Sequence, residues 1–155
     1  MRRNKLALYL HLVWATWDRQ PLLTPEIERR VYRNTFAPNA SAGVESEARG
    51  MGCTVLAING MPDHTHLGLV IPTTITIANL VKQVKGVSSH FVNETLKPGF
   101  EFKWQGSYGA FTVSRWDVDK IVNYIKRQKE HHQLNELFPE WEEAFEEVNN
   151  DLASL

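Results

Sequence analysis

Two short apolar runs separated by a turn signal predict a β-hairpin in the middle of the chain. The first run is GCTVLAING at 52–60, and the second is HTHLGLVIP at 64–72. The residues GMPD at 60–63, where the first run ends and before the second begins, favour a turn. A strand places alternate side chains on one face, so His64 and His66 project together. We expect them on the exposed face of the second strand.

The rest of the pattern surrounds this hairpin with helices and strands. The predicted elements are, in order, a strand at 6–17, a helix starting at Thr24 and Pro25, the hairpin, a helix at 74–96, a strand with a glycine-marked bend at 102–114, a helix at 117–132 and a short acidic helix after residue 133. This order indicates an α+β fold of ferredoxin-like type, with helices packed on a mixed or antiparallel sheet. A length of 155 residues suits one domain over 1–155, with an acidic helix or tail at 133–155.

The single cysteine, Cys53, cannot form an internal disulfide, and the start MRRNKLALYLHLVW lacks the long apolar core of a signal peptide. No stretch approaches the roughly 20 apolar residues that cross a bilayer. We therefore expect a cytoplasmic protein without membrane contact.

Charge is segregated along the chain although the formal net charge is only -1. Residues 130–155 contain eight acidic side chains and no lysine or arginine, which leaves 17 basic and 10 acidic side chains in the first 129 residues. A basic body with an acidic tail is a weak indication of nucleic-acid contact, and an ordinary solvated surface gives the same pattern. We expect the acidic tail to lie away from any DNA-binding face.

Tyr124 and Gln128 are four residues apart in YIKRQ and so share one face of the predicted third helix. Gln128 offers a carbonyl oxygen to a metal, and Tyr124 offers an oxygen that can attack phosphorus once its proton is removed. His64 and His66 need one further donor to hold a divalent transition metal. A purely structural interpretation stays open for each of these side chains. The two histidines would then contact water or backbone, and the tyrosine would lie in the core or at its rim.

Three segments in this order, MPDHTHLGL, WQGSYGAFTVS and YIKRQKEHH, resemble the single-tyrosine HUH transposases, the insertion-sequence-200-like family. The resemblance implies that His64 and His66 are metal ligands. It further implies Gln128 as the third ligand and Tyr124 as the nucleophile. Thr65 departs from the family's apolar residue between the histidines, but threonine is compatible with a strand and leaves both ligands in place.

The resemblance implies a DNA transposase that cuts and rejoins single-stranded DNA at element ends through a 5′-phosphotyrosine. The family's ion is magnesium or manganese, whereas the softness of two imidazoles favours manganese or zinc over magnesium. Because the phosphotyrosine conserves the energy of the ester, no nucleotide cofactor is needed. A homodimer that recognises subterminal hairpins is implied as well.

Basic and aromatic side chains supply candidates for the DNA-binding face. The candidates for phosphate contact are Arg2, Arg3, Lys5, Lys82, Lys85, Lys126, Arg127 and Lys129. Those for stacking on bases are Trp104, Tyr108 and Trp116. His131 lies roughly 10 Å along a straight helix from Tyr124, so we assign His131 and His132 to the surface or to DNA contact.

Two other classes of function compete with this interpretation. One is a domesticated module that binds single-stranded DNA hairpins without strand transfer, against which the complete set of ligands and tyrosine argues. The other is a zinc hydrolase, which needs an acidic base near the metal. Asp63 is adjacent in sequence to His64, but a regular strand would point it to the opposite face.

Overall fold

The computed structural model describes residues 4–32, 43–134 and residue 142. Its strands are β1 (Tyr9–Ala15), β2 (Thr54–Met61), β3 (His64–Val70) and β4 (Gly109–Val113), and its helices are α1 (Pro25–Tyr32), α2 (Val44–Gly50), α3 (Ile77–Phe91), α4 (Val118–Lys126) and α5 (Gln128–Leu134). The strands form one sheet in the order β2-β3-β1-β4, and every pairing among them is antiparallel. The α+β class and the ferredoxin-like order of elements are therefore confirmed, with an antiparallel rather than a mixed sheet.

The predicted hairpin is present as β2 and β3. Met61 pairs with His64, so the turn consists of Pro62 and Asp63. Gly60 is required beside this turn, because a Cβ there would stand 2.1 Å from the carbonyl oxygen of His64. The turn thus fixes the register that places His64 at the first position of β3.

Alternation along the strands gives the sheet two different faces. One face carries Leu10, Leu12 and Trp14 of β1, which are buried in the main hydrophobic core. Helices α1, α2 and α3 contribute buried residues to the same core. The other face carries His11 and His66, over which α4 packs with a smaller apolar cluster that includes Ile121 and Ile125. The polar site therefore lies on the side of the sheet away from the main core.

The helices differ from their predicted bounds at their ends. Helix α1 begins at Pro25 as predicted, whereas α3 begins only at Ile77, where the Thr76 side chain accepts a hydrogen bond from the backbone N–H of Asn79. Its C-terminal continuation, Val92–Leu96, is a single π-helical segment that ends at the left-handed Lys97.

Strand β4 is shorter than the predicted 102–114. Trp104 forms only an isolated bridge with Thr16, and the chain reaches β4 through a bend. The Lys85 ammonium donates hydrogen bonds to the carbonyl oxygens of Gln105 and Ser107, which ties this segment to α3, while the Gln105 N–H donates to the carbonyl oxygen of Ala15 at the end of β1.

Two predicted segments fall largely outside the described residues. These are the small, polar stretch after α1 and the acidic helix after residue 133, of which Leu134, at the end of α5, and Glu142 are described. Within the described ranges, no helix combines the length and the apolar character needed to span a membrane.

Candidate active site

His64 and His66 lie on the face of the sheet that α4 covers. Their strand, β3, is an inner strand between β2 and β1, so neither histidine is at a sheet edge. The expectation of an exposed strand face is wrong, because the two residues are only 3% and 0% exposed. Tyr124 of α4 and a carboxylate from the C-terminal segment cover them. The two rings lie edge to face with their centroids 5.1 Å apart.

Tyr124 and Gln128 both point into this site, although one predicted helix is two helices. The chain leaves helical geometry at Arg127, where φ is -102° and ψ is 23°. At this break the Asn59 side chain of β2 donates to the Lys126 carbonyl oxygen at 2.9 Å. Tyr124 and Gln128 remain buried, and the Tyr124 ring meets that of His66 edge to face. The structure thus brings together all four residues that the sequence singled out.

Glu142 joins these four residues from the C-terminal segment. Its Oε2 accepts a hydrogen bond from Nε2 of His66 at 3.1 Å and lies 3.3 Å from Nε2 of His64. Its Oε1 accepts hydrogen bonds from the Tyr124 hydroxyl and from Nε2 of Gln128. Glu142 of the acidic tail thus reaches the candidate site, and the expectation that the tail lies away from a DNA-binding face stays a prediction. Buried imidazole, phenol and amide groups need partners, and this one carboxylate accepts hydrogen bonds from His66, Tyr124 and Gln128.

The site's electrostatics follow from these contacts. Burial opposes charge on Glu142, but His64 and His66 outweigh it and hold the pKa of Glu142 well below its usual range. Burial likewise lowers the pKa of His64, but the Asp63 and Glu142 carboxylates outweigh it and raise that pKa to about 9. Burial lowers the pKa of His66. At neutral pH the ion-free site therefore holds a charged His64 between two carboxylates and a neutral His66.

Asp63 does not point to the opposite face, so this expectation was wrong. Asp63 lies in the turn before β3, where strand alternation does not fix its side chain. Its Oδ1 accepts a hydrogen bond from Nδ1 of His64 at 2.7 Å, and its Oδ2 lies 3.6 Å from Nε of Arg19. The bond turns Nε2 of His64 toward Glu142. The geometric argument against a hydrolase therefore fails.

His131 and His132 lie closer to the site than a straight helix would allow. The His131 ring stacks on Tyr124 with centroids 4.8 Å apart, and Nε2 of His132 lies 3.1 Å from Oε1 of Gln128. Both histidines are therefore half-buried beside the site, because the break between two successive helices carries them back toward β3, and their assignment to DNA contact stays a prediction.

The donor set fits a divalent transition metal. Ligand atoms of His64, His66 and Glu142 all lie within 4.8 Å of one another. Nε2 of His64 is buried and makes no hydrogen bond within the described part of the chain. Imidazole nitrogens with one carboxylate suit manganese or zinc better than magnesium. An open cavity of about 440 Å³ borders the cluster along Arg19, Met61 and Pro62.

The basic residues proposed for DNA contact occupy several places. Lys5, Lys82, Lys126 and Arg127 are exposed, whereas Arg2 and Arg3 lie outside the described residues. Lys85 is half-buried under its two carbonyl partners, and burial lowers its pKa to about 8. Lys129 donates to Glu28 and Asn59. Lys85 and Lys129 thus already have structural partners, which sequence alone did not reveal.

The three aromatic residues proposed to stack on bases also differ in their exposure and contacts. Trp104 is buried and its Nε1 donates to the Ser88 hydroxyl, so the stacking role assigned to it is wrong. Trp116 is 82% exposed, with Arg115 over its ring. Tyr108 is half-buried and lines a cavity of about 590 Å³ with Lys82 and Lys85.

Comparison with known proteins adds sequence and fold similarity. The profile of the IS200-like transposases ("Transposase IS200 like") matches residues 4–128. The chain is 29% identical over 129 residues to the ISDra2 transposase TnpA of Deinococcus radiodurans, covering 78% of this chain and 84% of that protein. It also resembles the crystal structure of a proposed transposase from Deinococcus radiodurans, with 28% identity, a TM-score of 0.56 and coverage of 83% and 98% of the two chains.

The fold is shared with a more distant solved protein. This is a REP-associated tyrosine transposase bound to a REP hairpin, with 16% identity, a TM-score of 0.56 and coverage of 85% of this chain and 73% of that one.

Proposed function

Because this chain belongs to the IS200-like transposase family, we propose that it cuts and rejoins single-stranded DNA through Tyr124. The observation that carries the proposal is the convergence of the Tyr124 hydroxyl, His64, His66 and the Glu142 carboxylate in one buried cluster. A tyrosine with a carboxylate as hydrogen-bond acceptor and metal-binding imidazoles beside it is equipped to attack phosphorus.

The chemistry of the step assigns roles to two side chains. The Tyr124 oxygen, positioned by its hydrogen bond to the Glu142 carboxylate, attacks the scissile phosphorus and gives up its proton to solvent. A phosphorus–oxygen bond to Tyr124 forms, the bond to the 3′ oxygen breaks, and that oxygen leaves as a free 3′-hydroxyl after taking up a proton. A 3′-hydroxyl of another strand reverses the step and rejoins the DNA.

His64 and His66 are the proposed ligands of a divalent ion, Mg²⁺ or Mn²⁺, of which the softer Mn²⁺ suits imidazoles better. Gln128 is the proposed third ligand. Its amide now directs Nε2 at Glu142, and exchanging the positions of its oxygen and nitrogen would direct the carbonyl oxygen there instead. Glu142 is a further anionic donor at the same place. When bound, the ion would stabilise negative charge that develops on the phosphate.

The proposed substrate is single-stranded DNA that carries a hairpin. The solved transposase whose fold this chain shares is bound to a REP hairpin. The resemblance to the family likewise implies recognition of hairpins at element ends. Lys5, Lys82, Lys126 and Arg127 are the exposed side chains proposed to contact phosphates. We also propose a homodimer, for which light scattering at micromolar concentration should give about twice the 17.8 kDa chain mass.

A labelled oligonucleotide tests the proposed reaction. The probe is a pool of single-stranded DNA with one hairpin, a randomised flank and a dye at the 3′ end, because a 5′-phosphotyrosine retains the 3′ portion. We expect a dye-labelled protein band that survives denaturation and that requires Mn²⁺ or Mg²⁺. Tyr124→Phe should lose this band while still binding the hairpin. Hairpin binding without any adduct in the wild type would favour the domesticated binding module instead.

A further inference from the structure

His11 is a third buried histidine beside the site, and the proposed reaction gives it no role. It lies on β1 and is 0% exposed. Its Nε2 is 2.8 Å from Nδ1 of His66, and the two rings stack with centroids 5.1 Å apart at 21°. The contact joins His11 to the nitrogen of His66 that faces away from Glu142.

Among the described residues, the polar contact of the His11 side chain is its hydrogen bond to His66. Its other nitrogen, Nδ1, is buried and has no hydrogen-bond partner among the residues that the structure describes. The neighbouring Phe111 ring, at 6.0 Å between centroids, is apolar. Since burying an imidazole has a free-energy cost, an aliphatic side chain would fill this position more cheaply if packing were its only role.

A single proton must lie between the facing nitrogens of the two neutral rings. In the ion-free site Nε2 of His66 donates to Glu142, so its Nδ1 is unprotonated and accepts from Nε2–H of His11. To offer the Nε2 lone pair to a metal, His66 must carry its proton on Nδ1. It then donates to His11, whose own proton moves to its Nδ1. The hydrogen bond between the rings survives in both states.

We propose that His11 is a positioning residue that holds the His66 ring in place and changes from hydrogen-bond donor to acceptor when His66 binds a metal. This inference rests on the proposed function, because it requires the metal site at His66. It gives the two ligands different supports: a carboxylate, Asp63, holds His64, and an imidazole that can reverse its role holds His66.

Two substitutions at position 11 separate hydrogen bonding from packing. His11→Gln keeps an amide that can donate or accept near the place of Nε2, whereas His11→Leu keeps an apolar side chain that does neither. Phe111→Leu is the matched control, since it loosens packing on His11 without touching a nitrogen of His66. Calorimetry with Mn²⁺ or Zn²⁺ alone should show affinity about tenfold or more lower for His11→Leu, near wild type for His11→Gln, and unchanged for Phe111→Leu.

Nitrogen NMR of the wild type supplies a readout that does not depend on the variants folding. The signals of His66 are identified by their loss in His66→Gln. We expect the proton on Nε2 in the ion-free protein and on Nδ1 in the diamagnetic Zn²⁺ form, with His11 changing in the opposite sense. An unchanged tautomer of His11, or wild-type metal affinity in His11→Leu, would overturn the role of His11. A wild type that binds neither ion would contradict the metal site itself.

Discussion

The hydroxyl of Tyr124 donates its hydrogen bond to the carboxylate of Glu142, a residue from the acidic end of the chain. The same carboxylate lies against the imidazoles of His64 and His66. One acidic side chain therefore links the proposed nucleophile to the proposed metal ligands. Removing its charge should affect both parts of the site.

Glu142→Gln should lower the affinity for Mn²⁺ by about tenfold or more, because a neutral amide replaces the anionic donor beside the two histidines. Calorimetry with Mn²⁺ measures this directly. Glu94→Gln is the control, since Glu94 is exposed on the π-helical segment after α3. A gain in metal affinity or in DNA cleavage would instead show that the carboxylate obstructs the site.

Metal binding should release about one proton and become tighter as the pH rises. The pKa of His64 is raised to about 9, so the ion-free protein carries a proton there at neutral pH, whereas a metal ligand must be neutral. Between about pH 6.5 and 8.5 the affinity should therefore rise roughly tenfold per pH unit. Calorimetry in buffers of different ionisation enthalpy counts the protons. Affinity that is flat over this range would show that His64 is already neutral.

Asp63→Asn tests the origin of that shift. Without the Asp63 charge the pKa of His64 should fall, so the pH dependence of metal binding should flatten above the new, lower pKa. The metal affinity at the high end of the range should also fall, since the ring loses a partner that orients it. The same pH profile in Asp63→Asn and wild type would assign the shift to Glu142 alone.

The hairpin and its two aligned histidines were predictable because alternation and turn residues act over a few neighbouring positions. Tyr124 and Gln128 share a face for the same reason, even though a break at Arg127 separates their helices. That break has no glycine or proline to signal it, and the side chain that bonds to the Lys126 carbonyl oxygen there, Asn59, lies 67 residues away in sequence.

Glu142 and His11 could not be identified from the sequence. Glu142 is one of eight acidic residues in the last 26 positions, and its place in the site follows from contacts such as that with His66, 76 residues away. His11 is a single histidine within an apolar strand, and from the sequence a purely structural role in the core explains its presence as well as a role in the site does. Both depend on tertiary contacts that local patterns do not encode.

Lys82 and Lys85 should respond differently to the same substitution, although both lie on α3 beside one cavity. Lys85→Met leaves the carbonyl oxygens of Gln105 and Ser107 without their donor and should lower the free energy of unfolding by about 1–3 kcal/mol. Lys82→Met, at an exposed position, should leave that free energy unchanged. It should weaken hairpin binding and reduce its salt dependence by about one phosphate contact. Equal unfolding free energies for both variants would contradict the structural role of Lys85.

The central claim is that Tyr124 becomes covalently attached to DNA. The most direct measurement is mass spectrometry of the protein–DNA adduct after digestion with protease and nuclease. We predict one modified peptide, containing Tyr124 esterified to a 5′-phosphate, formed only with Mn²⁺ or Mg²⁺ present and absent in Tyr124→Phe. A nucleotide on any other residue, or cleaved DNA with no covalent peptide in the wild type, would contradict the account.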